Sequence, residues 1–201
     1  MRSTTPRDLR GHCPRCLLQL EICVCMVVPC VETRTTIVLI RHVTERLLTS
    51  NSGRFALLSL PNSELLGYGG GEPFDATSLS APGSALLYCS GPPRPLSVVP
   101  TRLVVLDGSF RQARRMYKRV PALRDLPELT LPAPQTTPTR LRAPPQPGGM
   151  STIEAIAAAL ALLEGPEVAA PLWALHAELV RRADIMRGRK REIVTAGPSR
   201  T

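Results

Sequence analysis

The sequence predicts an α/β domain built on a parallel sheet and preceded by a small metal-bound knuckle. Residues 1–30 form the knuckle, 31–186 the domain and 187–201 a basic mobile tail. Three observations carry this expectation. Short β-branched apolar runs of strand length alternate with stretches of helical spacing, the pattern of a sheet covered on both faces. Four cysteines crowd into the segment 13–25. At 201 residues the chain is long enough for one well-buried core and too short for two of full size.

The composition narrows the class. Apolar residues make up 43% and aromatics only 3%, so the core is aliphatic. The formal charge is +9 and the isoelectric point is about 10.0, which suits a polyanionic partner such as nucleic acid. On charge alone, a solvated Arg-rich surface explains the balance equally well. The chain has no run of apolar residues long enough to span a bilayer, and residues 1–11 carry no apolar signal-peptide core. A soluble, cytoplasmic protein without a membrane partner is expected, and in a reducing compartment clustered thiols are metal ligands rather than disulfide partners.

Taken in order, Cys13-x-x-Cys16 and Cys23-x-Cys25 come first. Four thiolates at about 2.3 Å around a tetrahedral Zn²⁺ are the usual outcome of such clustering. His12 can replace one thiolate, and small buried hydrophobes are the alternative reading of the same residues. Metal is preferred because a segment this short cannot order itself by packing Leu17, Leu18 and Leu20. With all four thiols bound the site is closed, and its role is structural. Cys30 and Cys89 are left over, with burial as their default.

The run 34–42 reads as a strand, as do 84–90 and 102–107, each bounded by Gly or Pro. Residues 54–60 fit a strand or a short helix, and 67–80, with Gly69, Gly70 and Gly71, fits a loop. A helix is expected over 109–119, ending before Pro121, and a fourth short strand over 128–131. The Pro-rich stretch 132–149 is an extended loop of functional character. Ser151 with Glu154 three residues on forms a capping box for a helix that runs to 163 and stops at Gly165-Pro166. A last helix covers 172–186, and no internal repeat occurs.

Asp107 ends an apolar strand and precedes Gly108 and a helix, which is where open α/β sheets bind ligands. The plainer reading makes Asp107 or Ser109 the helix N-cap. Along that helix Arg111, Arg114, Arg115 and Lys118 recur at i, i+3, i+4 and i+7, an unbroken basic face, with Phe110, Ala113 and Tyr117 on another face. Contact with RNA phosphates and a solvated charged face are the two readings of that stripe, and the first is preferred because a ligand site lies at its head. The scarcity of aromatics argues against single-strand binding by stacking.

The segment Leu106-Asp107-Gly108-Ser109-Phe110-Arg111-Gln112-Ala113-Arg114-Arg115-Met116 resembles the signature of the DTW-domain family, Leu-Asp-Gly-Thr-Trp-x-Gln-Ala-Arg-Lys-Met. Three further blocks agree: the cysteine cluster, His42-x-x-Glu45 with Ser52-Gly53-Arg54 behind it, and Ser151-Thr152-x-Glu154-Ala155. The similarity runs in register from Cys13 to about Leu163. It departs at Ser109, which keeps the hydroxyl of Thr, at Phe110, which keeps an aromatic face but lacks the indole N–H, and at Thr139, where a Tyr is expected.

The resemblance implies a SPOUT-like sheet with trefoil-type topology, zinc on Cys13, Cys16, Cys23 and Cys25, and S-adenosylmethionine held by strand-end loops through Leu87, Leu106, Gly108, Ser109, Phe110, Leu131, Ser151 and Thr152. It also implies transfer of the 3-amino-3-carboxypropyl group to N3 of a uridine in tRNA, leaving 5′-methylthioadenosine. Asp107 is then the candidate general base for the N3 proton, or the group that orients the uracil. The rival readings are a SPOUT-like RNA methyltransferase and a non-catalytic zinc-containing RNA-binding protein. The sequence leaves the oligomeric state, the uridine and the tRNA open.

Overall fold

The computed structural model describes residues 9–71, 73–88, 96, 98–132 and 149–195. In chain order the elements are β1 (Thr36–His42), α1 (Gly53–Ser59), β2 (Ser63–Tyr68), β3 (Ser84–Leu87), β4 (Arg102–Asp107), α2 (Phe110–Arg119), α3 (Pro121–Arg124), β5 (Glu128–Leu129), α4 (Thr152–Leu163) and α5 (Pro166–Thr195). The strands form one sheet in the order β2-β1-β4-β3-β5, and every pairing is parallel.

Alternation along the central strands divides the core in two. Ile37 and Leu39 of β1, Ala85 of β3, and Leu103 and Val105 of β4 face a layer containing Phe55 of α1, Ile153, Ile156 and Leu160 of α4, and Leu172, Leu175 and Leu179 of α5. Val38, Ile40, Leu86, Val104 and Leu106 face the other side, against Met116 of α2, Val120 and Leu123. Both faces are covered, so β1 and β4 read as continuous apolar runs. Each large side chain so buried contributes about 1.5–3 kcal/mol relative to exposure. Among the described residues no helix is long and apolar enough to cross a membrane.

The expected α/β architecture with a parallel sheet is the observed one. Four strands are legible as apolar runs; the fifth, β2, falls at 63–68, partly within the stretch expected as a loop. It is an edge strand with exposed Glu64 and Leu65 and a glycine at 67, so it lacks the run that marks its buried neighbours. The ambiguous 54–60 stretch is α1. The last helix is longer at both ends than 172–186. It starts with Pro166 at N1, where no N–H is needed, passes through Pro171, and runs through 187–195, residues that the sequence assigns to the tail. The trefoil threading implied by the resemblance depends on the course of 133–148, which lies outside the described residues, as do Thr139, most of the Pro-rich loop, and Cys89.

Candidate functional site

The knuckle is built by tight turns, one antiparallel bridge between His12 and Gln19 and a single 3-10 turn, Leu20–Ile22. Leu17 adopts a left-handed φ of 60°, its N–H donates to the Cys13 carbonyl at 2.8 Å, and Cys13 N–H donates to the Leu18 carbonyl at 2.7 Å. These turns gather the Sγ atoms of Cys13, Cys16, Cys23 and Cys25 to within 4.8 Å of one another. Cys13 and Cys25 lie 3.6 Å apart and Cys16 and Cys23 3.7 Å apart. Bonds of 2.3 Å to a tetrahedral centre require sulfur–sulfur edges of about 3.8 Å, so the donor set fits a closed four-thiolate metal site. Burial pushes the Cys16 and Cys25 thiols up, which a bound cation would reverse.

His12 stands outside this group, its Nδ1 3.1 Å from the Arg10 carbonyl. Cys30, expected to be buried, is exposed, with Sγ 3.9 Å from Glu32 Oε1; it lies in the irregular connection between the knuckle and β1, off the core. The knuckle is docked and does not hang free. Cys13, Cys16 and Val24 belong to the core layer that holds α5, and Arg182 of α5 donates to the Cys23 carbonyl.

Because all strands are parallel, their carboxyl ends lie along one edge of the sheet. Asp107, the last residue of β4, is 1% exposed there. Arg41 Nε donates to its Oδ2 at 2.7 Å. Asn51 Nδ2 donates to Oδ1 at 3.0 Å and Oδ2 at 2.9 Å, and Thr152 Oγ1 donates to Oδ1 at 2.9 Å. One carboxylate therefore ties together β1, the entry to α1, and the first residue of α4. Asn51 also accepts from the Arg54 N–H at 3.0 Å, which fixes the first turn of α1.

Gly53 makes this approach possible. A Cβ built there would stand 2.7 Å from the Asp107 carboxylate, a distance that backbone or charge must yield to. Gly53→Ala is expected to destabilise the fold by about 1–3 kcal/mol, read from the urea midpoint; an unchanged midpoint would mean that the cluster is looser than these distances indicate.

Beyond Asp107 the chain turns into α2 through Ser109, the N-cap. Its hydroxyl accepts from Gln112 N–H at 3.4 Å, and Gln112 Oε1 accepts from Ser109 N–H at 2.6 Å. The capping role therefore falls to Ser109, not Asp107. Gln112 Nε2 reaches back to Thr44 Oγ1 at 2.6 Å and to within 3.3 Å of His42 Nδ1, joining the loop after β1 to α2. Burial holds His42 below its ordinary value, and Arg115 adds to that. Phe110 is 51% exposed at the head of the helix, so its ring is open to a ligand.

The residues expected at the cofactor site collect along the same edge. Leu87 ends β3, Leu106, Gly108, Ser109 and Phe110 surround Asp107, Leu131 follows β5, and Ser151 and Thr152 open α4. Arg111, Arg114, Arg115 and Lys118 are all exposed on α2. Arg115 lies near His42 and Arg114 near Tyr88, so the basic face borders the carboxyl ends of β1 and β3. Sequence reasoning assigns no role to Arg41, Asn51, Gly53 or Arg54. The available signal is Arg41 itself, a charge inside an apolar strand that demands a buried partner.

The DTW domain family matches residues 10–183 of the chain. A curated protein of Drosophila melanogaster, tRNA-uridine aminocarboxypropyltransferase 2, is 29% identical over 181 residues, covering 83% of this chain and 72% of that protein. No solved structure matches the chain.

Proposed function

The chain belongs to the DTW-domain family, and on that premise we propose that it modifies tRNA by transferring the 3-amino-3-carboxypropyl group of S-adenosylmethionine to N3 of a uridine. The observation that carries this reading is the family match from 10 to 183, within which the signature residue Asp107 is the buried centre of a cluster at the carboxyl edge of the sheet. The similarity to the Drosophila enzyme supports the same substrate class.

S-adenosylmethionine supplies an electrophilic γ-carbon beside its sulfonium. Uridine N3 gives up its proton to solvent water and attacks that carbon; the N3–C bond forms as the C–S bond breaks, and 5′-methylthioadenosine leaves with the former bonding pair on its neutral thioether sulfur. Asp107 is the candidate for the base or for the group that orients the uracil, yet its two oxygens already accept from Arg41, Asn51 and Thr152 with almost no solvent contact. We therefore assign it neither of these roles but a positioning one: it holds Arg41 and the heads of α1 and α4 in one arrangement. Leu87, Leu106, Gly108, Ser109, Phe110, Leu131, Ser151 and Thr152 surround the cofactor in this reading, and Zn²⁺ occupies the four thiolates as a structural ion.

The uninterrupted basic face of α2 supplies the contact with tRNA phosphates. Neutralising Arg114 and Arg115 together is expected to flatten the dependence of log affinity on log salt by about 2 units, since each phosphate contact releases close to one counterion. An unchanged slope and affinity would remove α2 from the interface. The reaction itself is tested by its co-product: with unmodified tRNA the protein should release 5′-methylthioadenosine, and release of S-adenosylhomocysteine would reject the proposal in favour of methyl transfer.

A further inference from the structure

Arg41 is the penultimate residue of β1 and pairs in register with Asp107 across the sheet. Its side chain is buried, at 8% exposure. Nε is satisfied by Asp107 Oδ2, whereas Nη2 is sealed from solvent and has no acceptor among the described residues. Asp107 does not supply one, because Thr152 and Asn51 engage Oδ1 while Nε and Asn51 engage Oδ2. A buried charged donor without an acceptor has given up its water and received nothing in return.

A second buried cation lies beside it. Arg54 is equally buried, and its guanidinium donates to the carbonyls of Leu48 and Arg46, which carry no charge. Burial and then the nearby Arg41 push Arg54 below its usual value, and Asp107 is the one carboxylate acting against them. Arg41 and Arg54 thus both lie beside the Asp107 carboxylate, whose oxygens are already engaged. A buried guanidinium donor left without an acceptor, beside a second buried guanidinium, calls for an oxyanion.

We propose that the Nη2 side of Arg41 receives the α-carboxylate of S-adenosylmethionine and thereby anchors the aminocarboxypropyl arm. The inference rests on the cofactor named under the proposed function. A carboxylate is planar, matches the guanidinium fork, and sits on a thin flexible arm that can enter a buried site. A phosphodiester on the surface of a folded RNA does not reach this depth. Anchoring the arm by its carboxylate also fixes which carbon of the sulfonium faces the nucleophile: the γ-carbon lies on the held arm and the methyl does not. Arg41 would then set the transferred group.

The test is a binding comparison on the full-length, metal-loaded protein, with S-adenosylmethionine and its decarboxylated form, which keeps the sulfonium and the amine. The wild type is expected to prefer S-adenosylmethionine by about 10- to 100-fold, the range of a charge-assisted hydrogen bond. Arg41→Lys keeps a cation opposite Asp107 but loses the fork, so the preference should largely vanish while affinity for the decarboxylated ligand holds. The wild-type comparison needs no variant and stands even if the variant does not fold. Equal binding of the two ligands by the wild type would overturn the inference, as would an Arg41→Lys variant that weakens both alike. So would one that keeps the preference and loses tRNA affinity, which would identify the oxyanion as phosphate. No binding of either ligand would overturn the cofactor assignment and this inference together. A carboxylate preference in a protein that releases S-adenosylhomocysteine would uphold the contact between Arg41 and the carboxylate, and would reject both the proposed reaction and Arg41's part in setting the transferred group.

Discussion

Asp107→Asn is expected to lower the stability of the protein by about 3–5 kcal/mol, the usual cost of removing one partner of a buried ion pair. Asparagine has nearly the same shape, so no cavity forms. What changes is that Arg41 loses its counter-charge, and one of the two oxygens that accept from Asn51 and Thr152 becomes a donor facing donors. Transfer should fall with the structure, and S-adenosylmethionine affinity should fall with it, because the cluster that arranges the edge is disturbed. A general base would behave differently: the urea midpoint and cofactor affinity would hold, while single-turnover transfer dropped by roughly 10²- to 10⁴-fold. Measuring midpoint, affinity and rate on the one variant separates the two roles, and a midpoint equal to that of the wild type would contradict the positioning role.

The second large effect concerns the metal. Binding free energies of structural Zn²⁺ in short peptides are about 10–16 kcal/mol, more than the few buried side chains by which the knuckle docks on α5 can supply. Stripping the ion with a strong chelator, or replacing the fully buried Cys16 by Ser, should unfold residues 9–30. It should also loosen α5, since Cys13, Cys16 and Val24 share its core layer and Arg182 holds the Cys23 carbonyl. Metal content by mass spectrometry should read one zinc per chain, and amide exchange should rise in both segments on chelation. A metal-free protein with a protected knuckle would overturn the assignment.

What the sequence made legible follows the range of the forces involved. The strand ending at Asp107 and the caps at Ser109 and Ser151 are local patterns, and each stands where its residues indicate. The four-cysteine cluster is local too, its ligands falling within one turn-rich segment. The partners of Asp107 are not local: Arg41, Asn51 and Thr152 reach it across 66, 56 and 45 residues. No spacing announces such contacts, and only the register of β1 on β4 brings the first of them into place. Edge strand β2 escaped for a related reason, because a half-exposed strand containing Gly67 has no apolar run to mark it. The resemblance singles out Ser52-Gly53-Arg54 without explaining it. The explanation is steric at Gly53, where any Cβ would strike the Asp107 carboxylate, and electrostatic at Arg54, whose cation is buried against neutral carbonyls.

The most direct test of the proposed function is nucleoside mass spectrometry of unmodified tRNA incubated with the purified protein and S-adenosylmethionine. The expected product is a uridine heavier by one 3-amino-3-carboxypropyl group, formed in step with 5′-methylthioadenosine and abolished by the Asp107→Asn substitution. A methylated uridine, or tRNA returned unchanged by a folded, zinc-loaded protein that binds it, would contradict aminocarboxypropyl transfer.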